Sequence, residues 1–256
     1  MSDNAQVRLT DAGLRMLMAA DQDPYQRNEV DPEQFDRLVG AGLLDERGRA
    51  LPKAQPALEA MREPVARLAI EAAVGRTGRR WSAAIGEAQA VVLAPPAVAL
   101  GPDVSAAEVA AFDEPPPEEF ELRIMPPGWA VVDACAWAGI GPRLQRADPF
   151  TLPTDVLRCR LEDAGVPVPD GIDPELWAEP MLMWDLTIDP GESTEQPGRH
   201  GLLVLDTGAT GLWAFTATQP ESRLVPLPSY EVWRLILRAL RQAPPGGPEE
   251  SHLRVG

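Results

Sequence analysis

Two segments of this chain pass through the same chemistry in the same order. Arg123-Ile124-Met125-Pro126-Pro127-Gly128-Trp129 and Arg223-Leu224-Val225-Pro226-Leu227-Pro228-Ser229 each run from an apolar strand end, through prolines, into a helix start. Proline fixes φ and lacks an N–H, so it stops a strand and is tolerated in the first turn of a helix. A repeated join implies a repeated unit. The chain therefore reads as two α+β halves related by an internal pseudo-twofold, each giving strands to one antiparallel sheet. Trp81 and Trp213, each a few residues after a Gly-containing turn, fit the same rhyme.

The first half opens with a short strand over residues 7–9 and a helix capped by Thr10, with Leu14, Leu17 and Met18 on one face. Asp31-Pro32-Glu33 starts a second helix whose buried stripe is Phe35, Leu38 and Val39. From Pro64 the period changes from helical to alternating. Residues 65–74, 79–85 and 88–93 read as a β-meander turning at 75–78 and 86–87. Ser105-Ala106-Ala107-Glu108 is a capping box. A strand at 120–125 then leads into a helix with Trp129, Val132, Ala136 and Trp137 at helical spacing.

The second half has helices at 154–164 and from Asp173-Pro174-Glu175, then a strand at 181–188 and a polar loop at 189–199. Strands at 201–205 and 212–218 pair around a turn at 206–211, and a strand at 223–226 precedes a helix capped by Ser229. In that helix Val232, Leu235, Ile236 and Ala239 face inward. The expected organisation is one domain over 1–242, with halves 1–148 and 149–242 and a flexible tail at 243–256.

Composition removes several functions. The 256 residues carry 39 acids against 23 bases, a net charge of −16, which disfavours nucleic acid because its binding needs basic patches. The turn-like stretch 43–49 resembles the one after a helix in winged-helix proteins, but residues 54–63 are nearly neutral where a recognition helix would be basic. The polar N-terminus lacks a signal peptide's apolar core, and the longest apolar run is interrupted by Pro95 and Pro96. Two cysteines, Cys135 and Cys159, fit a reducing cytosol. No membrane partner, metal or cofactor is expected, and a cytoplasmic protein is. His200, in a Gly/Pro-rich stretch, reads as a loop residue without a nucleophile elbow to serve.

One motif points elsewhere. Leu203-Val204-Leu205-Asp206-Thr207-Gly208 is an apolar strand ending in Asp-Thr-Gly, the signature of aspartic proteases. That chemistry needs two aspartates sharing one proton. No second Asp-Thr-Gly or Asp-Ser-Gly occurs, so a protease using Asp206 would have to be a retropepsin-like homodimer. The competing reading makes 206–211 a hairpin turn, in which Asp and Thr cap and Gly supplies positive φ. The context favours the turn.

Over residues 7–242 the order of elements resembles the EspG family, chaperones of type VII (ESX) secretion. The resemblance is carried by Ala41-Gly42-Leu43-Leu44 followed by Gly48-Arg49, then by Pro64 leading into the strands with Trp81. Leu205-Asp206-Thr207, Gly211-Leu212-Trp213 and the helix from Ser229 carry it further. The family hairpin often continues into Gly-Arg, whereas Gly208-Ala209-Thr210-Gly211 has no arginine. The resemblance implies a central antiparallel sheet with helical bundles. It also implies a non-enzymatic role: binding the helical tip of PE–PPE heterodimers. Trp184, Arg199, Trp213 and Phe215, on or beside the second-half strands, are the expected partner-binding residues.

Overall fold

Capping residues set where the first elements begin. Thr10 ends β1 (Ala5–Thr10) extended, at φ −89° and ψ 173°, and its hydroxyl accepts from Gly13 N–H to start α1 (Asp11–Ala19). Asp31 does the same for α2 (Pro32–Gly40), its Oδ1 accepting from the N–H groups of Glu33 and Gln34. The Gln34 side chain then accepts Thr10 N–H at 3.0 Å, tying α2 to the end of β1. A short turn at Pro52–Ala54 leads into α3 (Gln55–Arg62). The computed structural model describes residues 5–20, 31–74, 77–95, 118–143, 148–163, 165–178, 181–189, 200–218 and 220–241. The capping box at 105–108, most of the 189–199 loop and the tail at 243–256 lie outside them.

The remaining strands are β2 (Ala66–Val74), β3 (Thr77–Ile85), β4 (Ala90–Ala94), β5 (Glu119–Met125), β6 (Phe150–Pro153), β7 (Leu182–Asp189), β8 (His200–Asp206), β9 (Leu212–Thr218) and β10 (Glu221–Pro226). They form a single antiparallel sheet of ten strands in the order β1-β5-β4-β3-β2-β7-β8-β9-β10-β6. Reading outward from the central β2–β7 pair gives the same sequence twice: β2, β3, β4, β5, β1 on one side and β7, β8, β9, β10, β6 on the other. The pseudo-twofold read from the repeated joins is thus present in the strand order. β5 with α4 (Pro127–Trp137) corresponds to β10 with α7 (Ser229–Arg241).

The tryptophan rhyme does not survive. β3 corresponds to β8 and β4 to β9, so Trp81 on β3 and Trp213 on β9 occupy unrelated positions, and they pack into different clusters. His200 opens β8, opposite Ile188, rather than sitting in a loop. β6 is also absent from the sequence expectation; it is four residues long and only Leu152 in it is buried.

Helices cover the sheet unequally. On one face, α4 and α7 lie over the middle of the sheet. Leu68, Ile70, Trp81, Trp184 and Leu186 pack there with Val131, Ala134, Val232 and Ile236. Trp81 Nε1–H donates to Asp133 at 2.8 Å and Arg123 pairs with the same carboxylate at 2.9 Å, which pins α4 to β3 and β5. Cys135 is fully buried in this cluster, and burial pushes its thiol up to about 12, so it packs as an apolar residue. The orientation of α4 corrects the expected stripe. Trp129 (60 % exposed), Val132 and Ala136 face outward, and Ala130, Val131, Ala134, Cys135 and Trp137 face the sheet.

On the opposite face the helices sit at the two wings. α1 to α3 cover β1, β5 and β4 through Leu9, Leu17, Leu38, Leu58 and Leu122. α5 (Thr154–Glu162) and α6 (Pro174–Ala178) cover the other wing through Leu157, Leu176, Trp177, Leu205 and Leu224.

Candidate functional site

Between those wings the central strands show a face that the described helices leave open. Alternation decides which residues it carries. In β2 the even-numbered residues from Ala66 to Ala72 are buried under α4 and α7, so Arg67, Ala69, Glu71 and Ala73 point the other way. Register extends the face sideways: Ala69 lies opposite Ser82 and Thr187, and Glu71 opposite Arg80 and Asp185. Thr187 in turn lies opposite Gly201 on β8. Arg67, Glu71 and Arg80 are exposed, and Glu71 and Arg80 pair at 3.1 Å. The middle of this saddle is therefore floored by small side chains, Ala69, Ser82, Ala84 and Thr187, with charges at its margins. Small residues let a partner's backbone come close to the sheet, and the two helix-covered wings give the saddle its walls.

The loop at 206–211 is built inward. Asp206 is fully buried and its Oδ1 accepts Gly208 N–H at 2.9 Å, the turn geometry expected of Asp at that position. Gly208 and Gly211 take φ of 59° and 111°, which side chains with a Cβ rarely adopt. Thr207 Oγ1 donates to Gly211 O, receives Thr210 Oγ1–H, and accepts Trp213 Nε1–H at 3.0 Å. The turn has no arginine of its own, but one arrives from the stretch after α4. Arg143, itself buried, donates from Nη1 to Asp206 Oδ1 and Gly208 O, and from Nη2 to Gly139 O.

This arrangement overturns the aspartic-protease reading. Catalysis there needs a carboxylate open to substrate and faced by a second carboxylate with which it shares a proton. Asp206 faces a guanidinium and has no exposed surface. Burial pushes its pKa up to about 6, against the opposing pull of Arg143 and of the Gly208 N–H. The carboxylate shapes a bend.

Two of the four expected partner-binding residues are buried. Trp184 is fully buried beneath α4 and α7, out of reach of a partner, and Trp213 is almost fully buried against α5 and α6, where it forms part of the wall of a cleft. Large aromatics on sheet strands are where a core gains most from burial. Phe215, two residues after Trp213, is only partly buried against the same cluster. Arg199 lies outside the described residues. Sequence reasoning missed the saddle itself, whose small residues look unremarkable until the register brings them together. Among the described residues, no group of His, Cys, Asp and Glu could hold a metal ion, and no helix is long and apolar enough to cross a membrane.

No protein-family model matches the chain, and no curated protein sequence matches it significantly. Among solved structures, the chain is similar to the Mycobacterium tuberculosis type VII secretion system chaperone EspG5, solved in complex with the PE25–PPE41 dimer. The two share 10% sequence identity with a TM-score of 0.53, over 96% of this chain and 99% of that one. Likeness at that identity speaks for architecture alone: the α+β sheet with its helices is similar in fold to EspG5 over nearly the whole of both chains.

Proposed function

We propose that this chain is a non-enzymatic, cytoplasmic chaperone of a type VII secretion system, holding a helical secretion substrate of the PE–PPE kind on the open face of its sheet. The observation that carries this reading is the saddle. Four central strands offer Ala69, Ser82, Ala84, Thr187 and Gly201 between two helix-covered wings, in a sheet whose other face is occupied by α4 and α7. A helix tip laid there buries apolar surface on both partners against a preformed floor, so little ordering is lost on binding. The full-length likeness in fold to a chaperone solved with its PE–PPE dimer supports this choice of partner. Phe215, on the same side of the sheet, and Arg199, between β7 and β8, are the contacts retained from the sequence. Trp184 serves packing.

The test is co-expression with PE–PPE-type heterodimers, PE25–PPE41 among them, followed by size-exclusion chromatography. The wild-type chain is expected to co-elute with at least one of them. Ala69→Arg and Thr187→Arg each place a long cation on the saddle floor. Each should weaken the complex at least about tenfold, a 1.4 kcal/mol effect, with the circular dichroism spectrum unchanged. Failure of every such heterodimer to co-elute, or complexes indifferent to both substitutions, would sink the proposal.

A further inference from the structure

A cleft of about 530 Å³ opens beside the second wing, a volume typical of sites that bind a side chain or small molecule. Its apolar lining comes from Phe150, Ile172, Leu176 and Trp213, and Asp148 and Asp173 also line it. The aromatic part is rigid. Phe150 meets Trp213 edge-to-face, with centroids 5.0 Å apart at 74°, and the Trp213 indole is held by Thr207. The wall carrying Leu176 is held as well. Trp177 O accepts two hydrogen bonds from the buried Arg160, and Trp177 Nε1–H donates to Val166 O. Asp173 keeps one carboxylate oxygen on Glu175 N–H, so its position is fixed by its role at the start of α6.

Register places this cleft relative to the saddle. Cross-strand partners share a face, and Trp213 lies opposite Leu205, which lies opposite Met183. Met183 is two residues before Asp185 on β7, so the cleft and the saddle are on the same side of the sheet. From β7 to β9 is two strand spacings, roughly 10 Å. That is about the width of one helix with its side chains.

Two carboxylates beside an aromatic and aliphatic floor complement one chemistry: a cation carried on an apolar stem. Arginine and lysine have such stems, and a guanidinium also stacks on aromatic faces. A cation entering between low-dielectric walls feels the carboxylates more strongly than it would in open water. We infer that this cleft anchors a basic side chain, flanked by an apolar one, of the same protein partner that lies on the saddle. The inference rests on the chaperone reading for the source of that side chain, and on the cleft alone for its chemistry.

The probe for that chemistry is the dipeptide N-acetyl-leucyl-arginine amide, with its citrulline counterpart as the neutral isostere. Titration into the full chain is followed by calorimetry and by the indole N–H resonance of Trp213. The arginine peptide is expected to give a saturable shift, and the citrulline peptide should bind at least about tenfold more weakly. The double variant Asp148→Asn, Asp173→Asn removes both charges while asparagine still caps α6, and it should lose the arginine response. The same variant should weaken any PE–PPE-type heterodimer that the wild type binds, more so at low salt than at high. Equal binding of the two peptides, an unchanged double variant, or no saturable shift overturns the inference. The saddle variant Ala69→Arg should leave the dipeptide titration untouched, so failure of the cleft and failure of the chaperone reading are told apart.

Discussion

Arg143 and Asp206 bury opposite charges side by side, and a pair of this kind sits near break-even between desolvation and attraction. The two partners are nevertheless unequal. Burial already pushes the Asp206 carboxyl up to about 6, from a value near 3.8 when unfolded. A raised acid binds its proton more tightly in the native state. The stability this gives is fully present below pH 3.8 and is lost as pH rises through about 6. Asp206→Asn mimics the protonated form and keeps an oxygen for Arg143 and for Gly208 N–H. It should therefore cost little at pH 7 and flatten the pH dependence of unfolding between pH 4 and 7, by at most about 3 kcal/mol. Arg143→Ala removes the donor to two carbonyls and strands the carboxyl, and should cost about 3–5 kcal/mol. Urea unfolding of the three proteins across that pH range checks both outcomes. A large loss in Asp206→Asn with a mild one in Arg143→Ala would contradict this account. Nothing in the sequence joins the two residues: 63 positions separate them, and Asp-Thr-Gly looks the same whether its carboxylate faces water or a guanidinium.

Among the elements, α3 shows how closely a helix is fitted to the sheet. A Cβ added at Gly86, in the turn from β3 to β4, would lie 2.8 Å from Ala60 Cβ and 3.2 Å from both Ala60 Cα and Gln89 O. Two of those three are backbone atoms, which cannot swing aside. Gly86→Ala should destabilise the chain by about 1–3 kcal/mol through overpacking, measured as a lower midpoint of thermal unfolding. The start of such elements was legible because caps and prolines are local. Thr10, Asp31 and the prolines at 126–127 mark starts that the structure keeps. Orientation was not. α4 is apolar on most sides, so periodicity offers two faces, and the sheet takes the small one of Ala130, Val131 and Ala134 while Trp129 is left outside. β6 escaped notice because Phe150-Thr151-Leu152-Pro153 alternates over too few residues to stand out, and only its pairing with β10 makes it a strand.

At the scale of the whole molecule, the β2–β7 pair joins the halves through seven residues on each strand, and the cluster beneath α4 and α7 draws on both. The halves share their main core. Residues 1–148 and 149–242 expressed separately should each lack a cooperative unfolding transition, while the intact chain shows one, with tryptophan fluorescence and circular dichroism coinciding. A cooperative transition in either half alone would show that the central pair is a junction between independent domains. The sequence revealed the duplication through its repeated joins. It could not reveal the saddle, because that surface is made by register across four strands and has no motif of its own.

A nearly twofold surface poses a problem of direction. A rod-shaped partner of the proposed kind would have two ways to lie across it, differing by a half-turn. The acid-lipped cleft lies on one wing alone among the described residues, and so it breaks the tie. If the proposed complex forms, a host that looks symmetric in its strand order would still tell the head of its guest from the tail.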